Sequence, residues 1–126
     1  MNIIVKTQHP RQVIDITDQV EDKLTGESGL VNVAVRHTTA SVTTANLDPG
    51  TDIDLLGFLE GIIPNQQWIH PHNPAHAADH LLSSVIGPSV TLPVSKGQIV
   101  LGVWQRLILV ELDGPNERDV NITFFA

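Results

Sequence analysis

The strongest constraint on the fold is that strand-like segments follow one another without helices between them. After Pro88, four apolar segments are separated by Ser95-Lys96-Gly97 and by Asp113-Gly114-Pro115-Asn116, residue types that favour turns. These predicted strands span 90–94, 98–101, 104–112 and 120–125. Strands that come in runs favour antiparallel sheets with helices at an edge or end. The sequence therefore predicts an α+β class with β-rich, sandwich-like antiparallel sheets.

The N-terminal half adds further predicted strands. They span 2–7, 12–17, 30–36 and 40–44, and the turn-forming pair His9-Pro10 separates the first two. In the third of them, valines occupy one face and Leu30 and Ala34 the other, a pattern that predicts a strand covered on both faces. The total is about eight strands.

Two or three short helices are expected beside them. Leucine and isoleucine recur at three- and four-residue spacing from Leu55 to Ile63, and Pro64 ends the pattern. Asp48 is predicted to cap this helix, with Pro49 at its first position. A helix over about 75–86 and a short one over 18–24, capped by Thr17, complete the set. The second helix is expected to turn a set of apolar residues inward, namely Leu81, Leu82, Val85 and Ile86.

Composition limits the classes of function. The 126 residues fit one domain, expected to span 1–126, and a net charge of −7 argues against a nucleic-acid partner, which requires a basic surface. The absence of cysteine excludes disulfides and thiolate metal sites. No stretch approaches the ~20 apolar residues of a membrane span, and the N-terminus lacks signal-peptide features. We therefore expect a cytoplasmic protein that does not bind membranes.

Histidines are concentrated in one segment, which contains His70, His72, His76 and His80. His76 and His80 are four residues apart, so they share a face if both lie in the helix. Two imidazoles at that spacing bind a divalent ion such as zinc when a third ligand comes from elsewhere, and His70 or His72 can supply it. The alternative interpretation is an exposed polar turn without a ligand.

A second polar segment, His37-Thr38-Thr39-Ala40-Ser41, interrupts two apolar strands. Hydroxyls and an imidazole at a strand end can hold a phosphate or position an acid or base, although Thr and Ser also simply favour strands. Farther on, Glu111 follows an apolar strand, where an unpaired carboxylate would have a raised pKa. Pairing with Arg106 or Arg118 is the commoner outcome. The sequence contains no nucleophile elbow, P-loop or dinucleotide fingerprint.

Taken in order, these motifs resemble those of the YjbQ-type family, the secondary thiamine-phosphate synthase enzymes. His37-Thr38-Thr39-Ala40-Ser41 resembles the family's HTSAS signature, and Asn46-Leu47-Asp48-Pro49 resembles the N-x-D-P that follows it. Further similar segments are Trp68-Ile69-His70, His80-Leu81-Leu82-Ser83-Ser84, Gly87–Val94, Gly97–Gln105, Glu111 and Asp113-Gly114-Pro115. The similarity extends from about residue 30 to the C-terminus. Between His70 and His80 the chain looks shortened against many relatives, and Asn116-Glu117 stands where relatives tend to have arginines.

The resemblance implies a YjbQ-like β-rich fold, a homotrimer, and a site near a subunit boundary. It also implies a weak activity that joins hydroxymethylpyrimidine pyrophosphate to a thiazole phosphate and releases pyrophosphate. Carried over residue by residue, it implies catalytic roles for His37, Asp48 and Glu111, and substrate contacts from Thr38, Ser41, Asn46, Trp104 and Gln105. Arg118, the arginine that remains after Asn116-Glu117, is expected to contact the substrate as well. His37, His70 and His80 would hold a divalent metal, zinc or magnesium, or would act as acid/base groups.

The condensation requires little covalent catalysis by the protein. Positioning of the substrates and stabilisation of charge should therefore account for most of the catalysis. Arg118 and a divalent ion are expected to neutralise the leaving group, while Asp48 or Glu111 holds the ion or stabilises the cation-like pyrimidine. Two alternatives stay open: a metal-dependent enzyme acting on another small substrate, and a trimeric binding protein without turnover.

Overall fold

The computed structural model describes residues 1–69 and 76–126, which contain eight strands and three helices. In chain order they are β1 Asn2–Lys6, β2 Gln12–Asp15, α1 Thr17–Glu21, β3 Gly29–Val35, β4 Ala40–Asn46, α2 Thr51–Gly61, α3 Ala77–Ile86, β5 Ser89–Ser95, β6 Gln98–Ile99, β7 Gln105–Glu111 and β8 Glu117–Phe125. The predicted α+β class is confirmed.

The strands form two antiparallel sheets. One has five strands in the order β1-β8-β3-β5-β6, and the other has three in the order β2-β7-β4. In the smaller sheet β7 is central, with Val110 opposite both Val13 and Ser41. The turn after β7 leads into β8 of the larger sheet, so residues at the end of β7 and the start of β8 lie close to both sheets.

Two apolar cores make the fold a three-layer structure. Between the sheets, Val31 and Val33 of β3 and Val120 of β8 belong to the same buried cluster as Leu107 and Leu109 of β7. On the other face of the smaller sheet, a second buried cluster joins β7 to α2 and α3; its members are Ile108, Val110, Leu112, Leu59 and Leu82. Helices α2 and α3 therefore cover the face of the smaller sheet that the larger sheet leaves open.

The strand buried on both faces is β7, not the segment that the sequence indicated. In β3, Val31, Val33 and Val35 are buried as predicted, but Leu30 on the opposite face is 48% exposed. In β7, successive residues from Leu107 to Val110 are at most 1% exposed, because they alternate between the two cores.

Two predicted caps were wrong. Helix α2 begins at Thr51 with Gly50 as its N-cap, so Asp48 lies in the preceding turn, where its carboxylate accepts hydrogen bonds from Asn46 and from the Thr51 hydroxyl. Thr17 is the first residue of α1 rather than its cap, and its buried hydroxyl accepts the backbone N–H of Leu107 at 2.9 Å.

The predicted inner face of α3 was only partly right. Leu82 is buried, whereas Leu81 is 49% and Val85 78% exposed. The two exposed residues line an apolar groove of about 300 Å³ with Ile62 and Trp68. The side of α3 that packs against β4 carries the buried hydroxyl of Ser83 instead, and this is the side that shapes the candidate site. Among the described residues, no helix has the length and apolarity needed to cross a bilayer.

Candidate functional site

Helix α3 is fixed on the start of β4 by hydroxyl groups. Ser83 donates to the carbonyl of Ala40 at 2.8 Å, and Ser41 donates to the carbonyl of Ser83 at 3.0 Å. Both serines are buried, and Ser41 is 0% exposed. A buried hydroxyl must find a partner, and each of these two donates to a backbone carbonyl of the facing element. Ser41 thus holds α3 in place, and it does not present a hydroxyl to a ligand at the surface.

This packing creates a cleft between the end of β3 and α3. His37 and Thr38 line one side, His80 and Ser84 line the other, and the volume is about 330 Å³. The structure therefore brings together His37, Thr38 and His80, three of the residues that the sequence singled out. A cleft of this size is at the lower end of the range for small-molecule sites. His70 and His72 lie outside the described residues, so the predicted third imidazole has no described position.

The His37 ring lies between two N–H donors. Its Nδ1 is 3.2 Å from Nη1 of Arg118, and its Nε2 is 3.3 Å from the backbone nitrogen of Asp119. A neutral imidazole has one acceptor nitrogen, so only one of the two contacts is a hydrogen bond in a given tautomer. Because both nitrogens face protein donors, neither offers a lone pair to an ion in the cleft. In this orientation His37 does not fit the predicted role of metal ligand.

Behind His37 lies a buried ion pair between Glu111 and Arg118, which are 0% and 2% exposed. Nε of Arg118 donates to Oε1 of Glu111 at 2.9 Å, and Nη2 donates to Oε2 at 2.5 Å. Nη2 also donates to the hydroxyl and the carbonyl of Thr39, while Thr7 donates to Glu111 at 2.7 Å. The pairing of Glu111 with Arg118, one of the two predicted partners, is confirmed.

Hydrogen bonding determines the charge state of Glu111. Burial by itself raises the pKa of this carboxyl, but the hydrogen bonds from Arg118, Thr7 and the backbone N–H of Asp113 outweigh burial and hold the pKa below its ordinary value. Arg118 is therefore bound to an ionised carboxylate inside the protein. Arg118 is thus already paired with Glu111, and the residues that line the cleft do not include either of them. Their expected contacts with substrate stay predictions.

The remaining predicted residues lie at the opposite end of β4. Asn46 is paired with Gln105 across the sheet, and the backbone N–H of Leu47 donates to the carbonyl of Trp104 at 2.8 Å. Seven residues of extended chain, about 24 Å, separate Thr39 from Asn46. Within one chain, Asn46, Asp48, Trp104 and Gln105 therefore cannot contact the same small molecule as the cleft. The predicted set divides into two groups.

A cluster that the sequence did not reveal lies at the start of α3. Nδ1 of His76 is 3.2 Å from a carboxylate oxygen of Asp113, and Asp79 completes a set whose ligand atoms lie within 4.8 Å of one another. Arg11 binds Asp79 at 2.6 Å and Glu60 at 3.0 Å. Burial raises the pKa of Asp79, Arg11 opposes that rise, and the charge of Asp113 adds to it. One imidazole with two carboxylates is a donor set that fits a divalent ion.

A comparison with models of known protein families identifies the family of this chain. All residues from 1 to 126 match the model of the UPF0047 protein YjbQ-like family. The chain belongs to the YjbQ/UPF0047 family. UPF0047 protein Rv2556c of Mycobacterium tuberculosis is 42% identical to this YjbQ-type chain over 118 residues, covering 90% of the chain and 89% of the relative. An Archaeoglobus fulgidus UPF0047 protein is 37% identical over 121 residues, covering 95% and 96%.

Solved structures agree with this membership. Hypothetical protein APE1520 from Aeropyrum pernix K1 is 38% identical and superposes with a TM-score of 0.91, covering 100% of this chain and 97% of that one. A YjbQ/UPF0047 protein from Clostridium acetobutylicum is 29% identical with a TM-score of 0.88 and 99% coverage of both chains. These likenesses support the family and the antiparallel fold of this YjbQ-type protein.

Proposed function

We propose that this YjbQ-type protein is an enzyme that acts on small phosphorylated molecules in the cleft between His37 and His80. The proposed reaction is the one that the family resemblance implies: hydroxymethylpyrimidine pyrophosphate and a thiazole phosphate give thiamine phosphate and pyrophosphate. The observation that carries the proposal is the convergence of His37, Thr38, His80 and Ser84 on one cleft from two distant parts of the chain.

For this reaction the cleft must bind the pyrophosphate leaving group. The carbon–oxygen bond between the pyrimidine methylene and pyrophosphate breaks, and a bond forms between that carbon and the thiazole nitrogen. Thr38 is an exposed residue that lines the cleft, and its hydroxyl can donate to a phosphate oxygen. Ser84 donates to the carbonyl of His80 at 3.1 Å, so its proton must change partner before it can bind an anion.

Charge balance calls for a cation beside these hydroxyls. The protein carries a net charge of −7, and Arg118 is already paired with Glu111. Pyrophosphate is highly charged, so we propose that it enters as its complex with a divalent ion, magnesium or zinc, in which the metal neutralises the departing oxygens. His80 is the described imidazole proposed to contact that complex, because it lines the cleft opposite Thr38.

Self-association as a homotrimer is the second part of the proposal. Residues 102–105 lie about the length of β4 away from the cleft, so Trp104 and Gln105 reach a substrate only if they belong to another copy. Val103 is 90% and Trp104 56% exposed, and exposed apolar side chains of this size are typical of protein interfaces. We propose that this loop of one subunit borders the cleft of its neighbour.

A specific observation favours a second candidate, a metal-dependent enzyme acting on another small substrate. It is the set His76, Asp79 and Asp113, which come from the N-cap of α3, from its first turn and from the turn after β7. Arg11 and Glu60 lie beside this set. Together the group contains three carboxylates, from Asp79, Asp113 and Glu60, and one arginine. Its net charge of two negative units favours a divalent cation. In this alternative the condensation is incidental.

The test is the condensation assay with purified protein, both substrates and magnesium, in which thiamine phosphate is separated and quantified. We expect product from the wild type, at least tenfold less from His80→Ala, and unchanged product from His9→Ala, a control in which an exposed histidine of an early turn is removed. Absence of product from the wild type, together with thermal stabilisation by either substrate, would favour a binding protein without turnover. Equal product from His80→Ala would place the reaction outside the cleft.

A further inference from the structure

We infer that Glu111 and Arg118 form an internal positioning pair that selects the tautomer of His37. The inference rests on the proposed function only for its kinetic consequence, since the tautomer is a property of the folded protein alone. Neither residue touches the cleft directly; both act through the imidazole.

The guanidinium is held rigidly. Glu111 binds it through Nε and Nη2, and Thr39 accepts from Nη2 at 2.9 Å through its hydroxyl. Two parallel hydrogen bonds to one carboxylate fix both the position and the plane of an arginine fork. The third nitrogen, Nη1, is then directed at Nδ1 of His37 at 3.2 Å.

This contact has one chemical meaning, because a guanidinium donates hydrogen bonds and cannot accept them. A hydrogen bond between Nη1 and Nδ1 therefore requires Nδ1 to be the acceptor, which places the ring proton on Nε2. The backbone N–H of Asp119, which is 3.3 Å from Nε2, favours the opposite tautomer. Hydrogen bonds from charged donors are roughly twice as strong as those between neutral groups, so Arg118 prevails and the contact with Asp119 gives way.

The carboxylate of Glu111 is itself fixed from the far side. Thr7 donates to Oε1 at 2.7 Å, and the backbone N–H of Asp113 donates to Oε2 at 3.1 Å. A continuous series of hydrogen bonds thus runs from Thr7, just after β1, through Glu111 and Arg118 to His37 at the cleft. The structure assigns this buried pair the task of presenting His37 in one protonation pattern.

The experiment is a long-range proton–nitrogen NMR spectrum of uniformly ¹⁵N-labelled protein at pH 7.5, in which a neutral histidine shows which nitrogen carries its proton. The His37 signals are identified by their loss in His37→Gln. We expect wild-type His37 to carry its proton on Nε2, and Arg118→Lys to show both tautomers, since lysine lacks the fork. The matched control is Arg106→Lys, which alters an arginine bound to Asp15 and Asp18 at the far end of β7; it should leave the His37 signals unchanged.

A second variant keeps the inference testable if Arg118→Lys does not fold. Thr39→Val removes one acceptor of Nη2 but retains the charge and the Glu111 contacts, and we expect a partial shift toward the second tautomer. A wild-type His37 that carries its proton on Nδ1, or identical His37 spectra in the wild type, Thr39→Val and any folded Arg118→Lys, would overturn the inference. If the condensation activity exists and depends on the proton of His37, Arg118→Lys should lower kcat with KM unchanged, because the variant changes the tautomer of His37 and leaves the lining of the cleft in place. Failure of the activity assay leaves the NMR result intact, so the two failures are distinguishable.

Discussion

The ion pair of Glu111 and Arg118 makes a large and specific prediction for stability. Replacing Glu111 by alanine leaves the guanidinium of Arg118, which is 2% exposed, without its carboxylate. Breaking a buried pair by removing one partner costs about 3–5 kcal/mol in the free energy of unfolding, because an uncompensated charge stays buried. Such a loss is a large fraction of the 5–15 kcal/mol typical of whole domains.

A matched comparison isolates the effect of burial. Arg106 binds Asp15 and Asp18 in a pair that is about one third exposed or more, and breaking it with Arg106→Ala should cost only about 0–1 kcal/mol. Urea unfolding followed by circular dichroism at pH 7 measures both variants. A loss for Glu111→Ala no greater than that for Arg106→Ala would refute the argument that burial gives the first pair its importance.

The same pair makes stability depend on pH. The hydrogen bonds from Arg118 and Thr7 keep the folded pKa of Glu111 below the ordinary 4.5, so the folded state favours the ionised carboxylate. The stabilisation is therefore complete above about pH 4.5 and is lost as the pH falls through the lowered folded pKa. The free-energy difference between the wild type and Glu111→Gln should shrink across that acidic range, and a difference that grows with acid would contradict the assignment.

The packing of α3, the exposed loop at Val103 and the cluster around Asp113 can each be tested by one substitution. Ser83→Ala removes the donor to the carbonyl of Ala40 and should lower the free energy of unfolding by about 1–3 kcal/mol, measured in urea, while Ser84→Ala on the exposed side of α3 should change it little. Val103→Asp places a charge in the proposed subunit contact and should convert a trimer into monomers in light scattering after size exclusion; a wild-type monomer would contradict the trimer. Asp113→Asn should abolish zinc or manganese uptake by equilibrium dialysis if His76 and both aspartates hold the ion, and unchanged uptake would exclude that set.

Local patterns in the sequence were sufficient for much of the fold. The repeat from Leu55 to Ile63 and the turn signals around Gly97 and Gly114 act over a few residues, so the helix and the strand boundaries could be predicted from them. The burial of individual residues could not be predicted in this way, because an apolar pattern in one strand does not indicate which element will pack against it. Leu30 remained exposed, whereas β7 was covered twice because α2 and α3 pack on its second face.

The candidate site was likewise predictable only where a contact depends on local geometry. The choice between Arg106 and Arg118 as the partner of Glu111 could have been made from geometry, because five strand residues place Arg106 about 17 Å from Glu111. The meeting of His76 with Asp113 could not, since the residues are 37 positions apart and belong to different elements. The separation of His37 from Trp104 by the length of β4 likewise depends on how β4 pairs with β7, which no motif records.

We propose that a phosphorylated substrate binds between His37 and His80. A crystal structure of the protein with hydroxymethylpyrimidine pyrophosphate and magnesium tests this directly. We expect a pyrophosphate within hydrogen-bonding distance of Thr38 and close to His80, with Trp104 of a neighbouring subunit at the edge of the same cleft. A ligand bound elsewhere, or an empty cleft at saturating substrate, would contradict it.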